Sequence, residues 1–348
     1  MNSYLKRKKS FAEFALSIWA ALSIGLSLTA CGLFAEPGYI AYTLGEEGSR
    51  AIAVSMPDGT DQRIITMDPA GSSSDNFAPV WSPDRQHLAF ISNRDGNHEI
   101  YLAIADGSNF MRLTNTGVDE SQISWSPKGD RIAYTSQSDN GVPQVHWLNL
   151  SDLRPNRLLF GSDSEIDPSW SPSGELIAFS VLDNNGNSTG IFLRNPDGVN
   201  RIQISQSNDR DPVWSPDSKQ LAFVSTRDGS EDIYVVEIGE NGPRGQALRI
   251  TNTPGRDFAP VWSQNGQRIA FLSDRNGNVD IFTVSPNGED LETLTRSPVD
   301  ETSVEWSNDE RLVFESITSG LSQLFVMNSD GVQKQITEGS IPSSLPQW

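Results

Sequence analysis

The sequence is poor in the residues on which most enzyme chemistry depends. It has one cysteine, Cys31, in 348 residues, so no intrachain disulfide can form. Its three histidines, His87, His98 and His146, stand at no metal-ligand spacing and read as surface or packing residues. No metal site and no cofactor is expected. His-Glu-x-x-His, a P-loop and Gly-x-Gly-x-x-Gly are absent, and no nucleophile elbow is expected, so no catalytic residue is assigned.

Basic residues are scarce as well: 26 Lys and Arg against 45 Asp and Glu give a formal charge of −19. Four of the basic residues are Lys6, Arg7, Lys8 and Lys9, and without residues 1–30 the charge becomes −22. A surface so acidic repels phosphate backbones, which excludes nucleic acid as an expected partner. It serves solubility, and it would also suit a basic partner or bound cations.

What is present begins with an export pattern over residues 1–30. A basic stretch precedes an apolar run from Phe11 to Ala30, interrupted among charged residues by Glu13 alone. Leu28-Thr29-Ala30-Cys31 resembles the lipobox of bacterial lipoproteins. The resemblance implies cleavage before Cys31, a diacylglycerol on its thiol, and a mature chain anchored on the outer side of the cytoplasmic membrane or in the outer membrane. The other reading is an uncleaved anchor helix, since about twenty apolar residues can span a bilayer. Residues 31–38 then form a lipidated linker; the seven residues from Gly32 to Gly38 reach about 25 Å at most, which keeps the body close to the membrane.

From residue 39 to 348 one phrase recurs. Trp81-Ser82-Pro83 returns as Trp125-Ser126-Pro127, Trp170-Ser171-Pro172 and Trp214-Ser215-Pro216, then as Trp262-Ser263-Gln264 and Trp306-Ser307-Asn308, with a last echo at Pro346-Gln347-Trp348. The spacings are 44, 45, 44, 48, 44 and 42 residues, the range of propeller blades. A second string counts the units: Ile40-Ala41-Tyr42, Leu88-Ala89-Phe90, Ile132-Ala133-Tyr134, Ile177-Ala178-Phe179, Leu221-Ala222-Phe223, Ile269-Ala270-Phe271 and Leu312-Val313-Phe314. In the second unit four strands are predicted at 78–81, 87–92, 99–104 and 110–114, joined by Pro- and Asp-Gly-bearing turns. The expectation is an all-β, seven-bladed propeller of four-stranded antiparallel blades, one domain over 39–348. Its first unit lacks a Trp phrase, and the C-terminal strand is expected to complete it and close the ring.

The units, Pro-x-Trp-Ser-Pro-Asp, Ile-Ala-Phe, Ser-Asn-Arg-Asp-Gly-Asn-x-Glu-Ile-Tyr and Leu-Thr, resemble the repeat of TolB-type (WD40-like) β-propellers, also found beside the catalytic domain of prolyl-oligopeptidase-like peptidases. The resemblance covers roughly residues 39–348. The chain departs from that family's pattern in having seven units instead of six, a lipobox, and no domain expected between signal and propeller.

The repeated tryptophans read as packing between sheets. Upstream of them, acidic groups recur: Asp75, Asp119, Glu120, Glu165, Asp209, Asp257, Asp300 and Glu301. They lead into the innermost strands, so they would ring one channel mouth and could hold a cation or a basic peptide; equally, they could cap turns by accepting backbone N–H bonds. Asp183-x-Asn185-x-Asn187 reads as a hairpin turn, because Arg194 stands where a calcium loop needs Glu. The expected function is a monomeric, lipid-anchored, non-enzymatic scaffold for an unidentified protein, peptide or cell-envelope glycan. The alternative is a lyase or hydrolase acting on polysaccharide or peptide at the channel mouth, which a clustered pair of carboxylates would favour.

Overall fold

The computed structural model describes residues 38–66, 74–138, 140–158, 163–197, 201–206 and 208–348. The export segment 1–30, Cys31 and the linker up to residue 37 lie outside the described residues. Twenty-eight strands form seven four-stranded sheets, and no helix occurs among the described residues. In the second blade the strands run Asn76–Trp81, His87–Ser92, Glu99–Ile104 and Phe110–Arg112, within two residues of the sequence expectation.

The sheets nest because each second strand alternates large and small side chains. In Leu88-Ala89-Phe90 and its copies, the bulky residues face the preceding blade and the alanine faces the following one. Thus Ala222 of blade 5 packs in one cluster with Trp262, Ile269 and Phe271 of blade 6. Blades 1 and 2 meet in the same way, through Ala41 against Leu88 and Phe90. The second-strand residues named here are fully buried, and close packing of large against small leaves little room for substitution.

The Trp phrase serves that packing. Trp170, Trp214 and Trp262 are each 7% exposed. The indole N–H of Trp125, Trp214 and Trp262 donates to a backbone carbonyl in the inner strand of the preceding blade, at Val80, Ser169 and Val213. The Ser that follows Trp turns its hydroxyl into the next hairpin: Ser215 Oγ donates to Asp217 Oδ1 at 2.7 Å and accepts from Gln220 N at 2.9 Å.

Closure occurs as expected. Ser343–Gln347 pairs with Ile40–Leu44, giving blade 1 its inner strand. Trp348 packs with Val313, Leu324 and Val326 of blade 7, so the last residue sits between the blades it joins. Closing hairpins also lock blades together. Gly59 adopts φ 82°, and a Cβ there would come within 2.9 Å of the Ile336 carbonyl of blade 7.

Candidate functional site in the channel

The inner strands are Asn76–Trp81, Glu120–Trp125, Ser164–Trp170, Asp209–Trp214, Asp257–Trp262, Glu301–Trp306 and Ser343–Gln347. Their pairing with the second strand slips by a β-bulge in all seven blades; in blade 5 the shift falls between Arg210 and Val213. Each bulge reorients the chain, so the first residue of the strand lies within the blade while the bulge residue comes to the channel. The bulge residues Ala78, Gln122, Asp167, Asp211, Ala259 and Leu345 all hold φ between 51° and 55°, a left-handed conformation costly for any side chain. Its recurrence in six blades makes it a product of the fold.

Those positions form a ring with two characters. Ala78, Ala259, Ser303 and Leu345 line a cavity of about 350 Å³ whose wall is mostly apolar, with one carboxyl, Glu305, accepting from Gln347 Nε2 at 3.2 Å. Blades 3 to 5 supply Gln122, Asp167 and Asp211 at the equivalent places. Gln122 Nε2 donates to Asp167 Oδ1, and Gln122 Oε1 accepts from Asp167 N at 3.0 Å. Asp167 in turn interacts with Asp211, which is ion-paired to Arg210, itself 2.7 Å from Glu231. Burial raises the Asp167 carboxyl, and repulsion from Asp211 raises it further. Burial also raises Asp211, with Arg210 partly offsetting it. The two carboxyls therefore hold a proton between them more tightly than isolated aspartates do.

The acidic residues singled out in the sequence sit at the start of the same strands or one residue before them. Asp119 and Asp300 are exposed and accept backbone N–H bonds from the preceding blade, His98 N and Val279 N, both at 2.8 Å. Asp75 is buried; burial alone would raise its carboxyl, but Arg50, 2.8 Å away through Nε, holds it below the ordinary value. Asp209 and Asp257 are buried and ion-paired to Arg227 and Arg275 of their own blades. Glu120, Glu165 and Glu301 are buried. Burial pushes Glu165 and Glu301 up to about 7. Glu120 is raised by burial and by Glu99. The eight residues thus fall in two places: Asp75, Asp119 and Asp300 stand just before an inner strand and accept a backbone N–H from the preceding blade, while Glu120, Glu165, Asp209, Asp257 and Glu301 lie within the strands and are buried.

Asp167 and Asp211 were not among the residues the sequence reading marked. Asp-Pro at 167–168 and 211–212, in the slot held by Ala-Pro in blades 2 and 6, was the available signal. The string Gly186-Asn187-Ser188-Thr189-Gly190 has the letters of a nucleophile elbow, contrary to the expectation above. It forms a β-hairpin followed by the strand Ser188–Arg194, so it lacks the strand-to-helix turn such an elbow needs. Asp183 accepts N–H bonds from Asn185 and Asn187 at 2.8 and 2.9 Å, as a hairpin turn requires. His98 packs edge-on to Phe77 and His146 stacks on Tyr134. Among the described residues, no group of three or more His, Cys, Asp or Glu is placed to hold a metal ion.

A ring of seven four-stranded blades, with a polar arc facing an apolar arc across its channel, defines a β-propeller. The chain belongs to the TolB beta propeller domain family, whose profile matches residues 35–208 and 194–348. It is 32% identical over 160 residues to a protein TolB homolog of Chlorobium luteolum, covering 45% of this chain and 36% of that one. The chain therefore spans about a third of the length of that relative. Among solved structures it resembles TolB from Acinetobacter baumannii (TM-score 0.60, 21% identity, 89% of this chain and 66% of that one). It also resembles an oligogalacturonate lyase from Vibrio parahaemolyticus (TM-score 0.63, 14% identity, 86% of each chain). At these identities the structural likenesses establish the fold.

Proposed function

We propose that the protein is a lipid-anchored, extracytoplasmic propeller that serves as a binding scaffold for a protein or peptide partner in the cell envelope. The observation that carries this reading is the two-sided channel ring, with Gln122, Asp167 and Asp211 opposite Ala259, Leu345 and Ala78. Such a surface suits a segment bearing a cationic or hydrogen-bonding group beside an apolar one. Membership of the TolB beta propeller domain family supports a scaffold role. The anchor rests on the lipobox-like Leu28-Thr29-Ala30-Cys31 behind an apolar run.

The paired carboxyls favour a second reading. Two interacting aspartates at a channel, one of them raised to about 6 by burial and by the other's charge, are the kind of pair that acid–base chemistry on a polysaccharide or peptide would use. The oligogalacturonate lyase among the structural neighbours is consistent with that alternative.

The test is affinity capture from native membranes with the acylated protein, set beside an Asp167→Asn, Asp211→Asn double variant. The scaffold reading expects a partner retained by the wild type and lost or depleted by the variant. The same partners captured equally by both would remove the channel from consideration. Turnover of oligosaccharide or peptide substrates, abolished in the variant, would favour the enzyme.

A further inference from the structure

In blades 2, 5 and 6 the hairpin between second and third strands carries an arginine two residues past a buried serine: Arg94 after Ser92, Arg227 after Ser225, Arg275 after Ser273. Its guanidinium carbon lies 4.2–5.7 Å from the centres of the stacked aromatic rings of that blade. Its Nε donates to the serine hydroxyl at 2.8–3.0 Å. A terminal nitrogen reaches the first residue of the inner strand, Asn76, Asp209 or Asp257. Cation–π attraction and charge-assisted hydrogen bonds thus fill one socket per blade.

Blade 3 has the parts of that socket without the arginine. Glu120 heads its inner strand, Ser136 is the buried serine, and Tyr134 stacks on His146 with ring centres 5.8 Å apart. Two residues past Ser136 stands Ser138, whose hydroxyl bonds within its own hairpin to Asn140 and to Val142 O. Where the guanidinium lies in the other blades, a cavity of about 770 Å³ opens, lined by Thr116, Tyr134, Ser136, His146 and Pro155 among others. Glu120 is 1% exposed; its Oε1 accepts from Thr116 and Ser136 at 2.8 and 3.1 Å, and its carboxyl meets the buried carboxyl of Glu99 from blade 2. Two buried carboxyls, Glu120 and Glu99, share the single ion-paired arginine Arg112, so an incoming guanidinium would meet negative charge that the blade does not itself neutralise. The rim arginines Arg157 and Arg194 do not forbid a second cation, since both lie in the field of Glu165, and blade 2 holds Arg94 and Arg112 around one tyrosine.

We propose that the blade 3 socket binds a guanidinium group, presented as the arginine side chain of a partner polypeptide. The guanidinium lies against Tyr134 and His146 and donates to Glu120 and Ser136, reproducing with a ligand what Arg94, Arg227 and Arg275 do within the chain. The guanidinium preference rests on the chain's own repeat; only its polypeptide carrier rests on the scaffold reading above.

Titration of the full chain with Nα-acetyl-arginine amide, followed by NMR or calorimetry, tests this. Saturable binding in the millimolar range or tighter is expected, with the citrulline analogue at least about tenfold weaker because it lacks the charge. Glu120→Gln should abolish binding. Ser138→Arg should abolish it too, with a higher Tm, because a built-in arginine then occupies the socket; this variant decides the matter if Glu120→Gln fails to fold. No saturable binding to the wild type, equal binding of the citrulline analogue, or binding that survives Ser138→Arg would overturn the proposal. So would preferential binding of Nα-acetyl-glutamate amide, which would make Arg157 and Arg194 the recognition groups. Failure here leaves capture through the channel untouched, and loss of capture by the channel variant leaves this titration untouched.

Discussion

Arg275 Nη2 lies 2.6 Å from Asp257 Oδ1, joining a side chain that is 9% exposed to one that is fully buried. Asp257 heads an inner strand and Arg275 sits in the hairpin between the second and third strands of the same blade, over Phe282 at 4.2 Å. The pair fixes the strand's start against the hairpin. Removing only the arginine strands a buried charge, so Arg275→Met should cost about 3–5 kcal/mol in denaturant unfolding. Adding Asp257→Asn should recover much of that loss. A double variant as unstable as the single one would show that the two residues are not coupled.

Trp214 packs between blades 4 and 5 and donates to Ser169 O at 3.1 Å. Trp214→Ala should destabilise the propeller by about 3–5 kcal/mol, read from urea midpoints at constant m. A change below about 1 kcal/mol would mean that the indole does not contribute to the seam between blades.

The raised carboxyls of Glu165 and Glu301 carry a definite sign. A folded-state value of about 7 against an ordinary 4.5 means the native state keeps a proton that the unfolded chain has already released. Their contribution is therefore fully present below 4.5 and is lost as pH rises through about 7. A Glu165→Gln, Glu301→Gln variant should lose less stability than the wild type across that window in thermal melts. Parallel curves for the two proteins would contradict the assignment.

Ring closure is testable by truncation. Deleting residues 341–348 removes the inner strand of blade 1 and Trp348, exposing Ile40 and Tyr42, which pack in the same cluster. Tm should fall by at least about 10 °C, equivalent to several kcal/mol for a chain of this size. An unchanged thermal transition would mean that the C-terminal strand does not close the ring.

The blades were legible because their signals are local and repeated. Trp at a fixed interval, Leu-Ala-Phe and Asp-Gly each dictate one packing face or one turn, and seven copies average out the exceptions. The site was less legible. Glu120, Glu165, Asp209, Asp257 and Glu301 do head the inner strands, but a sequence does not say that the strand's first residue turns into the blade. That outcome depends on the bulge two residues later, which swings Gln122, Asp167 and Asp211 to the channel instead. Nor could the sequence show that Asp167 and Asp211 meet, because they lie 44 residues apart on separate sheets and become neighbours only when two blades pack. The socket in blade 3 was readable in part, as Ser136-Gln137-Ser138 where blades 2, 5 and 6 have Ser-x-Arg. Its meaning required knowing where those arginines point.

The central claim is that the polar arc of blades 3 to 5 is where a partner docks. The most direct test places a photo-reactive amino acid at Gln122 and, in a second protein, at Ala259, two exposed positions equivalent on the channel ring. After irradiation in native membranes, the Gln122 protein should yield a discrete cross-linked partner that the Ala259 protein yields weakly or not at all. Equal adducts at both positions, or adducts at Ala259 alone, would contradict the account.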